Sequence, residues 1–154
     1  MVITQATVED AEEILQLQKR AFRIEAEAYG NFDIIPLVET VDQTIDDFAS
    51  KLILKAVDDG KIVGSVRGHQ QGGTCYVGRL IVDPAVHNRG IGTQLLTALE
   101  SHFPGCRFEL YTGYRSDRNI HLYEKLGYRK YKVVYSDEEN IDFVYMEKIG
   151  PQVE

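Results

Sequence analysis

The chain has 154 residues, 44% of them hydrophobic and 27% charged, with a formal net charge of -7. That length is one ordinary domain, residues 1-154, with a sizeable core, and no apolar run approaches the roughly 20 residues of a membrane span. An acidic surface also excludes broad nucleic-acid binding, which needs a basic face for the phosphates.

Val2 to Ala6 reads as a short strand, and the first residues lack the basic-then-apolar pattern of a secretory leader, so none is expected. Thr7-x-x-Asp10 is a capping box opening a helix whose apolar positions Ile14, Leu15, Leu17, Ala21 and Phe22 keep helical spacing. Gly30 to Thr40 reads as irregular, followed by a short helix over Thr44 to Lys51. The period then changes. Leu52 to Val57, Ile62 to His69 and Thr74 to Val82 are strand runs on short loops, hence an antiparallel meander. Gly90 to Phe103 is a helix with Ile91, Leu95, Leu96 and Leu99 on one face, and Arg107 to Thr112 is a strand. Ser116 is placed to cap the next helix and Gly127 to stop it; Tyr128 to Tyr135 and Ile141 to Glu147 form a closing hairpin. The order predicts an α/β (α+β) fold, a mixed, mostly antiparallel sheet of about seven strands flanked by four helices. Cys75 and Cys106 show no CxxC or metal-like spacing and sit in apolar runs. They read as small buried hydrophobes, consistent with a reducing cytoplasm.

The most informative segment runs from Leu80 to Leu96. An apolar strand meets Asp83-Pro84, and a short loop then enters a helix through Gly90 and Gly92. Bare glycines let a ligand approach the backbone, and the free N–H groups of a helix start suit a pyrophosphate. Arg89 adds a nearby cation. It is not a P-loop, because Thr93 follows Gly92 without the required Lys. Nor is it a dinucleotide fingerprint, because Leu95 stands where the third glycine belongs.

Val82-x-Pro84 followed by His87-Asn-Arg-Gly-Ile-Gly92 resembles the acyl-CoA motif of the GNAT family of N-acetyltransferases, usually Gln/Arg-x-x-Gly-x-Gly/Ala. Asn119-Ile-His-Leu-Tyr-Glu-Lys-Leu-Gly-Tyr128 is similar to the family's second signature, and the element order matches over essentially the whole chain. His87 departs from the pattern, which moves weight to Arg89. The resemblance implies acetyl-CoA as cofactor. The implied contacts are Leu80, Ile81 and Val82 along the pantetheine arm and His87, Asn88, Arg89, Gly90, Ile91, Gly92 and Thr93 around the pyrophosphate. It also implies that the strands Thr74–Val82 and Arg107–Thr112 splay apart around the thioester, that Asn119 hydrogen-bonds the pantetheine, and that Tyr123 is the catalytic acid for the leaving sulfur.

Asn119 and Tyr123 are four apart, hence on one helix face, with Ser116 near it. A phenol near its reference pKa of about 10 stays protonated at pH 7, as an acid must. The general base stays open among Glu109, Glu25, Glu27 and Glu39, with His69 and His121 as further candidates, since Tyr76 stands where some histone-acetylating members carry a glutamate. The acceptor segment Ile24 to Thr40 mixes carboxylates with aromatic and aliphatic groups, suiting a small-molecule amine with an apolar body; Arg67 and Arg79 would instead receive a substrate carboxylate. Acetylation of a protein lysine or N-terminus, through an open groove, and a catalytically weak acyl-CoA sensor are the competing readings. The family also contains homodimers.

Overall fold

A computed structural model describes residues 1–87 and 89–150. The elements are β1 (Val2–Gln5), α1 (Ala11–Tyr29), α2 (Ile35–Val38), α3 (Val41–Ser50), β2 (Leu52–Asp58), β3 (Lys61–Gln71) and β4 (Thr74–Val82), then α4 (Ile91–Ser101), β5 (Arg107–Gly113), α5 (Asp117–Lys125), β6 (Arg129–Ser136) and β7 (Ile141–Ile149). The strands form a seven-stranded sheet in the order β1-β2-β3-β4-β5-β7-β6. Neighbours are antiparallel except β4 and β5, which run parallel.

Helices cover both faces. Leu95, Leu96 and Leu99 of α4 and Ile120 and Tyr123 of α5 pack with Leu54, Val66, Phe108 and Met146 of the sheet. On the other face Ile14 and Leu17 of α1 pack with Ile53, Ile62 and Ile81. The apolar spacing read in α1 and α4 is thus the spacing that is buried. Cys75 and Cys106 are free and buried, and burial is the main cause pushing the Cys75 thiol from 9.0 up to about 12.

Two stretches differ from the sequence reading. The segment expected to be irregular contains the one-turn α2, making five α-helices rather than four. Pro36 sits in its first turn, where a fixed φ fits and the missing N–H costs nothing. The next helix begins at Val41 rather than Thr44, because Thr40 and Gln43 cap it reciprocally. Thr40 Oγ1 accepts from Gln43 N–H at 3.2 Å, and Gln43 Oε1 accepts from Thr40 N–H at 2.9 Å.

Candidate active site

The sheet opens at its centre. β4 and β5 pair only through Thr74–Arg107, Cys75–Phe108 and Tyr76–Glu109, and both strands then continue without each other. Asp83 N–H bonds Val63 O at 2.8 Å, and Ile81 pairs with Ser65, so these residues turn their backbone toward β3. Backbone polar groups alternate sides along a strand. Leu80 and Val82 therefore present theirs to the opening, while the Ile81 side chain is buried in the α1-side core. A cleft of about 760 Å³ fills this wedge and reaches past α1 to the β6–β7 hairpin.

The glycine turn forms the far end of the cleft. Asp83 Oδ1 accepts from Ala85 N–H at 3.0 Å, and a 3-10 turn over Pro84–Val86 leads the chain out of the sheet. Gly90 has φ +73°, the left-handed region that favours glycine, and it caps α4. Gln94 N–H to Gly90 O, at 3.1 Å, opens the intrahelical bonds. The N–H groups of Ile91, Gly92 and Thr93 precede it and are left over at the cleft, whose wall these residues share. His87 Nδ1 accepts from Arg118 Nη1 at 2.7 Å. A guanidinium only donates, so a neutral His87 carries its proton on Nε2. Arg89, Arg115, Arg118 and Lys125 line the same cleft, a cationic rim on a chain of net charge -7. Asn88 lies outside the described residues.

Helix α5 supplies the opposite wall. Asn119 Nδ2 donates to Thr112 Oγ1 at 3.3 Å and, weakly, to Glu25 Oε1 at 3.4 Å. Ser116 stands at the N-cap, but its hydroxyl donates to Glu25 Oε2 at 2.6 Å instead of capping the helix. Tyr123 is 6% exposed and lines the cleft one turn beyond Asn119. Its hydroxyl has no hydrogen-bond partner among the described residues. Yet the sole buried side-chain polar atom left unsatisfied among them is Arg67 Nε. The Tyr123 hydroxyl therefore opens into the cleft. Burial, and secondarily the charge of Glu25, push this phenol well above 10. His121 is exposed.

On the acceptor side, the arginines are taken. Arg67, 2% exposed, bonds Asp47 at 2.6 Å, Gln18 at 2.9 Å and Glu39 Oε2 at 3.0 Å. Arg79 reaches Glu39 Oε1 through Nε and Nη2 at 3.2 and 3.1 Å. Two cations thus meet two carboxylates; Arg67 is enclosed among its partners, while Arg79 also lines the cleft. Burial alone would raise the Glu39 pKa, but the Thr44 hydroxyl, Arg67 and Arg79 outweigh it and hold Glu39 at about 2. A base that weak takes no proton from an amine.

The other candidate bases separate by position. Glu109 is held by Arg107 at 2.9 Å and by the Tyr131 hydroxyl, away from the cleft. Glu27 and Tyr76 are exposed and do not line it. Of the carboxylates singled out in the sequence, Glu25 alone stands in the cleft wall. Glu139, which sequence reasoning missed, joins it there. Its carbonyl accepts from Asn31 Nδ2 at 2.8 Å and its carboxylate from Ile35 N–H at 3.2 Å, so the hairpin turn closes against the acceptor segment. The acid-rich turn Ser136 to Asn140 was visible, but nothing in it points to a contact a hundred residues back.

A sheet split around a cleft, a glycine-capped helix start and a buried tyrosine facing both describe an acyl-CoA-dependent transferase. The model of the acetyltransferase (GNAT) family matches residues 11–128, and the chain belongs to that family. It is an N-acetyltransferase with acetyl-CoA as donor. Solved structures share the fold. The ribosomal-protein-S18-alanine N-acetyltransferase of Escherichia coli is 17% identical, with 99% of this chain and 96% of that one covered at a TM-score of 0.79. The PaiA N-acetyltransferase of Thermoplasma acidophilum, in complex with coenzyme A, is 19% identical over 97% and 99% of the chains, with a TM-score of 0.73. An aminoglycoside 6'-N-acetyltransferase complexed with coenzyme A is 18% identical over 100% of both chains, also at 0.73. No curated protein matches the sequence. Among the described residues, no helix is long and apolar enough to cross a membrane.

Proposed function

We propose that this chain moves an acetyl group from acetyl-CoA to the primary amine of a small molecule in the cytoplasm, with Tyr123 as the acid. The observation that carries the reading is the Tyr123 hydroxyl, without a hydrogen-bond partner among the described residues and held protonated, opening into the wedge between β4 and β5. In this reading the pyrophosphate lies on the N–H groups from His87 to Thr93, with Arg89 beside it. Asn119, Leu80 and Val82 hold the pantetheine arm, and the Val82 or Leu80 N–H stabilises the carbonyl oxygen as it gains charge.

Direct transfer forms the C–N bond and breaks the C–S bond, and the departing sulfur takes the Tyr123 proton. A free thiol titrates near 8.5, below a phenol. The wedge that raises Tyr123 raises a thiolate leaving into it for the same reason, loss of water around the charge. The two shifts run in the same direction, so the rise at Tyr123 does not by itself set its proton against the thiolate. In this reading Glu25, which lines the cleft, receives the amine proton.

A small acceptor is favoured by the walls. The α1 residues Glu25 and Tyr29, the α2 segment at Ile34 and Ile35, and the hairpin at Glu139 and Phe143 all line one cleft. Calorimetry with acetyl-CoA, followed by thiol release across small amines and peptides bearing a free N-terminus or lysine, tests this. The expected result is binding, with turnover on small amines. Turnover on peptides alone would reject the acceptor assignment, and no acetyl-CoA binding would reject the whole reading.

A further inference from the structure

The inference concerns what aims the main chain of β4, and it rests on Leu80 and Val82 serving the thioester as proposed above. Ser65 pairs with Ile81, but Arg67 pairs with Gly78, so Val66 alone faces both Arg79 and Leu80. That is a β-bulge, and its extra residue bends the strand where it leaves β5. Arg79 sits in it at φ +50°, a left-handed conformation that bulges of this kind ordinarily give to glycine. A long side chain in that conformation persists only where its surroundings hold it. Here the holder is visible. Both Nε and Nη2 of Arg79 bond Glu39 Oε1, and Glu39 is itself fixed by Arg67 at 3.0 Å and by the Thr44 hydroxyl at 2.5 Å. Glu39 is also the residue that ends α2, so it belongs to the chain segment forming the acceptor wall.

We propose that Glu39 is a positioning residue for acetyl transfer: through Arg79 it holds the left-handed bulge that points Leu80 and Val82 into the opening, and through α2 it fixes the acceptor wall to that strand. The glycine turn lies beyond the bulge, and none of its described residues bonds the ion cluster, so cofactor affinity and turnover separate.

The test compares Arg79→Gln with Arg79→Gly. Both remove the ion pair and leave Glu39 bonded to Arg67, but glycine adopts φ +50° without strain. Hydroxylamine serves as acceptor probe, being a small amine that does not sense the acceptor wall, with uncatalysed thiol release subtracted. Arg79→Gln should lower kcat ~10-fold with acetyl-CoA KM within ~2-fold, while Arg79→Gly keeps kcat within ~3-fold of the parent. Melting curves accompany both, and Arg79→Ala replaces Arg79→Gln if the latter does not fold. Equal kcat in Arg79→Gln and the parent, an equal loss in both variants, or a loss confined to acetyl-CoA KM would overturn the inference. A parent enzyme that binds no acetyl-CoA would overturn the functional reading and this inference with it; an active parent with two indistinguishable variants overturns the inference alone.

Discussion

Gly113, the last residue of β5, has no side chain where the Tyr29 ring packs: a methyl group there would overlap the Tyr29 hydroxyl. That hydroxyl accepts a hydrogen bond from Arg115 N–H at 2.8 Å, so the end of α1 is latched to the loop leading into α5. The two walls of the cleft are joined at this point. Gly113→Ala should push Tyr29 away and destabilise the fold by roughly 1–3 kcal/mol, the usual range for overpacking. Tyr29→Ala makes room for the methyl group, so the double variant should lose less than the two single losses together. Thermal or urea unfolding of the four proteins measures it. Strict additivity would remove the latch.

Tyr123→Phe keeps the ring and deletes the hydroxyl. The ring packs in the core while the hydroxyl bonds nothing described, so stability and acetyl-CoA affinity should barely change. Thiol release should fall by roughly 10²-fold or more, the lower range of general acid catalysis. Because Tyr123 is held above 10, the parent should show no loss of kcat attributable to it between pH 7 and 9. Unchanged release in Tyr123→Phe would take this residue out of the mechanism.

The parts of the site that were legible in the sequence are the local ones. Asp83-Pro84 and Gly90-x-Gly92 encode the strand exit and the helix start in their own backbone preferences, and the i, i+4 spacing alone puts Asn119 and Tyr123 on one face. What was not legible depends on distant partners. Ser116 has the residue type of a cap, but Glu25, 91 positions away, takes its hydroxyl. Arg67 and Arg79 looked available because nothing nearby in sequence neutralises them; Glu39 lies 28 and 40 positions off. Helix α2 was hidden because Pro36 usually breaks helices and is harmless only in a first turn. The early start of α3 was readable from Thr40-x-x-Gln43, but the polar residues after it conceal the apolar period.

The two glycines of the turn should respond differently to alanine. Gly90 is at φ +73° with open space around a would-be Cβ, so its cost is backbone strain, about 1 kcal/mol for an L-residue. Relief of that strain would rotate the N–H groups of α4's first turn. Gly92 is helical, and its Cβ would meet Leu122 at 3.4 Å and Val82 at 3.7 Å, ordinary contact distances. Gly90→Ala should therefore weaken acetyl-CoA binding roughly 10-fold or more by misaiming these donors, while Gly92→Ala stays within about 3-fold. Calorimetric titration of both variants decides. Weaker binding in Gly92→Ala than in Gly90→Ala would mean that contact with the ligand, not backbone conformation, dominates this turn.

The ion cluster around Glu39 should make acid unfolding specific. Its carboxylate is held at about 2 in the folded chain against an ordinary 4.5. A depressed folded pKa contributes stability that is present above about 4.5 and lost as the pH falls toward 2. Glu39→Gln removes that contribution at every pH and leaves Arg67 and Arg79 facing an uncharged amide. At pH 7 it should cost roughly 3 kcal/mol or more, as expected when one partner of a buried pair is removed. As the pH falls from about 4.5 toward 2 the gap to the parent should narrow, because the unfolded parent takes up the Glu39 proton first and the folded parent only near 2. Urea unfolding at pH 7, 5 and 3 gives the two curves. A gap of equal size at pH 7 and pH 3 would show that the Glu39 charge does not stabilise this cluster, and that Arg67 is held by Asp47, Gln18 and packing alone.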